Sequence, residues 1–137
     1  MSRNVIRNIS KFSNAEEILD KCLDLLCIND TEIQIKQSSL INNKYSSFMG
    51  IIQKCPYGDN IYELILDADM DDDKLMKNVI LHECCHLKQM VEGRLVVNTE
   101  ENTVIFEGKE YPYYGYSQYT PWEEEAFELQ RKLIKNI

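Results

Sequence analysis

The stretch that decides the reading is DDDKLMKNVILHECCHLKQMVEG, residues 71–93, with His82-Glu83-Cys84-Cys85-His86 at its centre. An α-helix advances about 100° per residue, so His82 and His86 are displaced by only about 40° and lie one turn apart on the same face. Two imidazole nitrogens at that spacing can close on one metal ion. Glu83 falls about 60° from His86 around the helix, beside the line of the two histidines, where its carboxylate can act as a general base on water. Imidazole and carboxylate donors suit Zn2+, whose catalytic sites keep an open coordination position.

The flanks support a helix. Asp71, Asp72 and Asp73 are N-cap candidates, and Leu75, Val79, His82, His86 and Met90 recur at helical spacing before a stop at Gly93. Ile80, Leu81, Cys84, Leu87 and Val91 make the other sides apolar, which predicts a helix buried on more than one face. His82 and His86 are the only histidines of the 137 residues. Placing both on one helical face is poorly explained by surface or core packing alone.

The third ligand has to come from another segment, since residues 87–92 carry no histidine. Thr120-Pro121-Trp122-Glu123-Glu124-Glu125-Ala126-Phe127 opens a later helix, with Thr120 as N-cap and Pro121 at the first helical position. Acidic residues in a first turn also complement the helix dipole, so three glutamates there do not by themselves mark a ligand.

Taken together, the His-Glu-x-x-His helix and the downstream Pro-x-Glu-x-Glu-Ala segment resemble the gluzincin branch of the zincin metallopeptidases, in particular short bacterial and phage members. The likeness covers roughly residues 60–130. It includes Leu81–Gln89 as the active-site helix, and Phe106-Glu107-Gly108-Lys109 with Tyr119–Glu123 as the approach to the glutamate helix. The resemblance implies a compact zincin-like fold, Zn2+ held by His82, His86 and a glutamate, and peptide hydrolysis through Glu83. One departure stands out. Many gluzincins carry Asp or Asn four residues after the ligand glutamate to support a histidine, and from Glu123 that position is Phe127. Support for the histidines must then come from other residues.

Helical geometry selects among the glutamates. Trp122, Ala126, Leu129 and Leu133, extended by Phe127 and Ile134, define an apolar arc centred about 45–50° past Trp122. Glu123, at about 100°, lies inside the arc; Glu125, at about 300°, and Glu124 fall outside it. A core-facing carboxylate needs a charge partner, which a zinc ion supplies. The resemblance agrees, with the small Ala126 three positions on. Glu123 is the expected third ligand and Glu125 the reserve.

The remaining sequence predicts a small α+β, zincin-like domain spanning residues 1–137, with a mixed or antiparallel sheet. Asn14–Leu26 reads as an amphipathic helix capped by Ser13 or Asn14. Thr31–Gln37 alternates as a strand, Tyr45–Lys54 is a weaker one ended by Cys55-Pro56-Tyr57-Gly58, and Asn60–Asp67 is a third. In zincins the strand before the active-site helix is commonly a sheet edge along which a peptide lies, which makes Asn60–Asp67 the expected edge. Val96–Tyr111 predicts a hairpin with Thr103–Phe106 as one limb and Glu107-Gly108-Lys109 as its turn. Five of the eight tyrosines fall in residues 111–119, between the two ligand-bearing helices, where a hydroxyl could donate to the oxyanion of a tetrahedral intermediate.

Composition narrows the partners. A net charge of −8, from 15 Lys+Arg against 23 Asp+Glu, argues against nucleic acid and favours a basic or cationic partner, while the resemblance implies a peptide or protein substrate. No apolar run approaches the roughly 18 residues of a membrane span, and the first eight residues lack a signal-peptide core. Five cysteines, an odd number with Cys84 and Cys85 adjacent on a helix, point to the reducing cytoplasm and to core packing of those two thiols. The rival to an enzyme is a catalytically silent zinc-binding or partner-binding protein. A purely structural site would have no need of Glu83.

Overall fold

The computed structural model describes residues 4–40, 49–113 and 120–137. In chain order they form β1 (Val5–Asn8), α1 (Ala15–Leu25), β2 (Glu32–Ser38), β3 (Gly50–Lys54), β4 (Ile61–Asp67), α2 (Asp73–Val91), β5 (Leu95–Asn98), β6 (Thr103–Phe106), β7 (Lys109–Pro112) and α3 (Pro121–Leu133), with a closing 3-10 turn at Ile134–Asn136. The class is α+β. One sheet is mixed, ordered β1-β2-β4-β3, and a second is the antiparallel meander β5-β6-β7.

The four-stranded sheet is two-sided, with alternation clearest in β2 and a small second cluster of Leu40, Ile51 and Ile65 apart from the main core. In β2, Ile33 and Ile35 are fully buried between half-buried Glu32, Gln34 and Lys36, and in β4 Tyr62, Leu64 and Leu66 point the same way. The parallel register sets Ile33 beside Tyr62 and Ile35 beside Leu64, so the apolar residues share one face. Helices α1 and α2 cover that face through Ile18, Leu19, Cys22, Leu23, Met76, Ile80, Leu81, Cys84 and Leu87. The opposite face carries an ion pair of Lys36 with Glu63, which also accepts from Gln53 across β3.

The edge falls elsewhere than expected. β4 is interior, parallel to β2 on one side and antiparallel to β3 on the other, so its backbone is paired along both flanks. Among the described residues β3 is the outermost strand on the side of α2. Residue patterns could not show this, because an interior and an edge strand with one polar face alternate in the same way. The predicted Tyr45–Lys54 strand is realised as Gly50–Lys54, and residues 45–48 lie outside the described residues. β1, which the sequence reading did not predict, pairs parallel with β2 at the far edge. Its four residues are half-exposed and carry no buried alternation to read. The expected hairpin is a three-stranded meander, and its turn is tighter than predicted. Glu107 and Gly108 both have positive φ, 52° and 82°, with Phe106 opposite Lys109, so Lys109 belongs to β7.

Both ends of α2 are held locally. Asp72 is the N-cap, accepting from the amides of Lys74 at 2.8 Å and Leu75 at 3.1 Å. At the other end Gly93, at φ 75°, closes a Schellman turn in which Arg94 N donates to Gln89 O and Gly93 N to Met90 O. Gly50 lets β3 come close. A Cβ there would stand 2.5 Å from Val79 Cγ1 and 3.6 Å from Glu83 Cγ, both on α2. Gly50→Ala is therefore expected to cost about 1–3 kcal/mol in denaturant unfolding, the usual range for overpacking a core.

Candidate metal centre

α3 crosses α2 and brings Glu123 onto the two histidines. Its first turn is anchored by Trp122, which is buried among Leu95, Val104, Phe106 and Tyr113. The indole meets Tyr111 edge-on at 5.3 Å between ring centroids and Phe106 at a tilt at 6.0 Å. The meander thus fixes the residue next to Glu123. Ala126, one turn on, is fully buried and lets α3 approach the main core.

At the crossing, His82 Nε2 lies 2.9 Å from Glu123 Oε1 and His86 Nε2 lies 3.1 Å from Glu123 Oε2. One ligand-capable atom from each residue falls within 4.8 Å of the others, and all three side chains are buried. Glu83 is buried as well, and lines a pocket of about 40 Å3 with His86, Glu123, Met90 and Trp122. That is room for a water.

Both histidines have their outer nitrogen occupied. His82 Nδ1 is 2.9 Å from Gln130 Oε1, and His86 Nδ1 is 2.9 Å from Gln89 Oε1. The amide orientations are dictated by their other contacts. Gln89 Nε2 donates to the Trp122 carbonyl at 3.0 Å and to Glu125 Oε1 at 3.1 Å, groups that only accept. Gln130 Nε2 donates to Asn78 Oδ1 at 3.2 Å, and Asn78 Nδ2 donates to the Lys74 carbonyl at 3.0 Å. Each glutamine must therefore turn its oxygen to a histidine, and each Nδ1 must carry the hydrogen. The Nε2 lone pairs of both rings then converge on the Glu123 carboxylate.

Such a convergence of acceptors requires a cation among them, either a proton or a metal ion. His86 Nε2 shows the deficit directly: although 3.1 Å from the carboxylate, it is fully buried without a properly aligned hydrogen bond. Burial alone would lower the His86 pKa, but the adjoining Glu123 carboxylate, through contact and charge, outweighs it and raises the value to about 9. Burial would likewise raise Glu123, and the contacts with His82 and His86 override it to hold the carboxyl at about 2. Two imidazole nitrogens and one carboxylate are a donor set that fits Zn2+ with coordination positions to spare.

The other predicted residues separate cleanly. Glu124 is exposed. Glu125, the reserve ligand, turns away from the cluster to Arg94, whose two terminal nitrogens reach its two oxygens at 2.8 and 2.5 Å. Phe127, where the resemblance calls for Asp or Asn, packs at a tilt against His82, 4.4 Å between ring centroids. Cys84 and Cys85 are buried free thiols, and burial together with Cys22 beside Cys84 raises the pKa of both. Of the clustered tyrosines, Tyr113 borders the pocket and Tyr111 packs on Trp122; Tyr114, Tyr116 and Tyr119 lie outside the described residues.

Sequence reasoning missed Gln89, Gln130, Asn78 and Arg94. Gln89 carried a signal, three residues after His86 and so on the same helical face. Gln130 carried none, because its meeting with His82 depends on how α3 crosses α2.

No family of known proteins, no curated protein and no solved structure gives a significant match to this chain.

Two outcomes follow for the purified protein. Without metal, the contribution of Glu123 is complete above its ordinary pKa of 4.5 and is lost as pH falls through about 2. That of His86 is complete below 6.5 and is lost as pH rises through about 9. The metal-free melting temperature should therefore be highest between about pH 4.5 and 6.5 and should decline towards pH 9, and His86→Ala should remove the alkaline decline. Separately, Gln89→Leu or Gln130→Leu should weaken metal binding by about 10–100-fold in a competition titration, because the partner histidine loses the acceptor that fixes its tautomer.

Proposed function

We propose that the chain is a zinc-dependent metallopeptidase of the zincin type, in which His82, His86 and Glu123 hold the metal and Glu83 is the general base. The observation that carries this reading is the buried convergence of two imidazole lone pairs and a carboxylate beside a second buried carboxylate, at a pocket of water size. A site whose only task was to staple helices would not need Glu83 at its open side.

A bound Zn2+ would supply electrophilic polarisation of a carbonyl and an acidified water with a pKa of about 7. Glu83 would take the proton from the attacking water and hand it to the leaving amine, so that water adds across the peptide C–N bond and the carboxylate is regenerated. Gln89 and Gln130 would hold the two imidazoles in the ligating tautomer throughout. The substrate backbone would lie along β3, the outermost strand of the mixed sheet among the described residues, which runs beside α2. Among the described residues no helix is long and apolar enough to cross a membrane. With five free cysteines, we place the activity in a reducing cytoplasm.

The purified protein is expected to carry about one zinc per chain. His82→Ala, His86→Ala and Glu123→Ala should lose it, Glu124→Ala should keep it, and Glu125→Ala should keep it with lower affinity. Elemental analysis reads these outcomes, and stoichiometric zinc in His86→Ala would refute the site. Glu83→Gln should retain zinc and fold while hydrolysis falls by about 100-fold or more. Chelation should lower the melting temperature, since an ion bound only by the folded state adds its binding energy to folding.

A further inference from the structure

The small pocket at Glu83 and His86 opens into a larger groove of about 470 Å3. Ile51, Ile52, Met90, Leu95 and Val97 line both, so groove and site are continuous. The groove runs between two strand edges, β3 of the mixed sheet and β5 of the meander, neither of which pairs with the other. On β3 the residues facing α2 are Gly50, Ile52 and Lys54, because Gly50 abuts Glu83 and Ile52 belongs to the core under α2. From the site outward the wall therefore runs from Ile52, which the groove shares with the pocket at Glu83 along with Met90, Leu95 and Val97, to Lys54. Lys54 is the sole basic residue lining the groove among the described residues, is exposed, and has no ion pair among them. Glu63, the acidic group nearby, is already held by Lys36.

Resting on the metallopeptidase reading, we infer the substrate class from this wall. The groove takes an extended peptide whose residue next to the scissile bond is bulky and apolar, and whose residue two further along carries a carboxylate. The apolar side chain fills the space between Ile52, Met90, Leu95 and Val97, where a charged one would be stripped of water without a partner. An extended chain rises about 3.3 Å per residue and returns to the same face every second residue. The side chain two positions beyond the apolar one thus meets Lys54, as Lys54 follows Ile52. The intervening residue points away and is free to vary. A chain of net charge −8 offers little general attraction to acidic peptides, which makes a lone lysine at this position selective.

The test uses internally quenched peptides that differ at these two positions, with the zinc-loaded protein for cleavage and Glu83→Gln for binding by fluorescence anisotropy. Leu or Phe at the first position is expected to exceed Asp by about tenfold or more in kcat/KM and in affinity. Glu at the second should exceed Lys several-fold, less so at high salt. A free terminal carboxylate replacing the Glu side chain, compared with its amide, separates a requirement for an acidic residue from one for a chain end. Lys54→Glu, an exposed change, should reverse the second preference and leave the first intact. Equal handling of Leu and Asp, an unaltered preference in Lys54→Glu, or no peptide binding at all would overturn the assignment. Binding to Glu83→Gln with the stated preferences, but no cleavage by the native chain, would uphold the groove and refute the peptidase.

Discussion

Three buried polar side chains that all present acceptors to one another form the constraint around which the structure is arranged. His82, His86 and Glu123 lie on two helices, shielded from solvent, with an imidazole nitrogen that no hydrogen bond satisfies. Burial of such groups is unfavourable unless a cation joins them. Every neighbouring choice follows from keeping that convergence in register. The outer nitrogens are blocked by carbonyl oxygens, the carboxylate is anchored through Trp122, and the pocket admits little more than a water.

Support for the histidines comes from amides in place of carboxylates. Gln89 and Gln130 are neutral and lie behind the rings, so they fix the tautomer without adding negative charge to a centre that already holds Glu83 and Glu123. The orientation of Gln89 is set by the Trp122 carbonyl and Glu125, and that of Gln130 by the Asn78 side chain, itself fixed by the Lys74 carbonyl. Glu125 is in turn gripped by Arg94, which also contacts Glu92 and Glu107. Arg94 sits where it does because Gly93 closes the Schellman turn. A helix stop, a β-turn and α3 are thereby connected through one guanidinium, whose planar fork suits several carboxylates at once.

The two sheets have separate tasks. The mixed sheet gives α2 a broad apolar bed and supplies β3, which Gly50 allows close to Glu83. The meander contributes little to the main core, yet it seats Trp122 and so sets the position of Glu123. Between them lies the groove that leads to the centre, bounded by β3 and β5, each the outermost strand of its sheet among the described residues. Edges of this kind invite strand addition.

By itself the sequence determined whatever depends on local periodicity: the helix that carries His82, Glu83 and His86, its start in the Asp71–Asp73 run and its Gly93 stop, the alternating β2, and the inward direction of Glu123 relative to Glu124 and Glu125. These are intrinsic to a 100° or 180° repeat and survive without knowledge of the rest of the chain. Strand order, the edge position of β3, the addition of β1 and the pairing of Gln130 with His82 were decided by tertiary structure alone. They join residues far apart in sequence, and a glutamine on an amphipathic helix reads the same whether it meets water or a histidine. Even Arg94 and Glu125, 31 residues apart, look like ordinary surface charges until the Schellman turn and the crossing of α3 over α2 bring them together. The face that carries His82 and His86 was legible because a helix repeats; its supports were not, because nothing in the chain repeats at the distance between two packed helices.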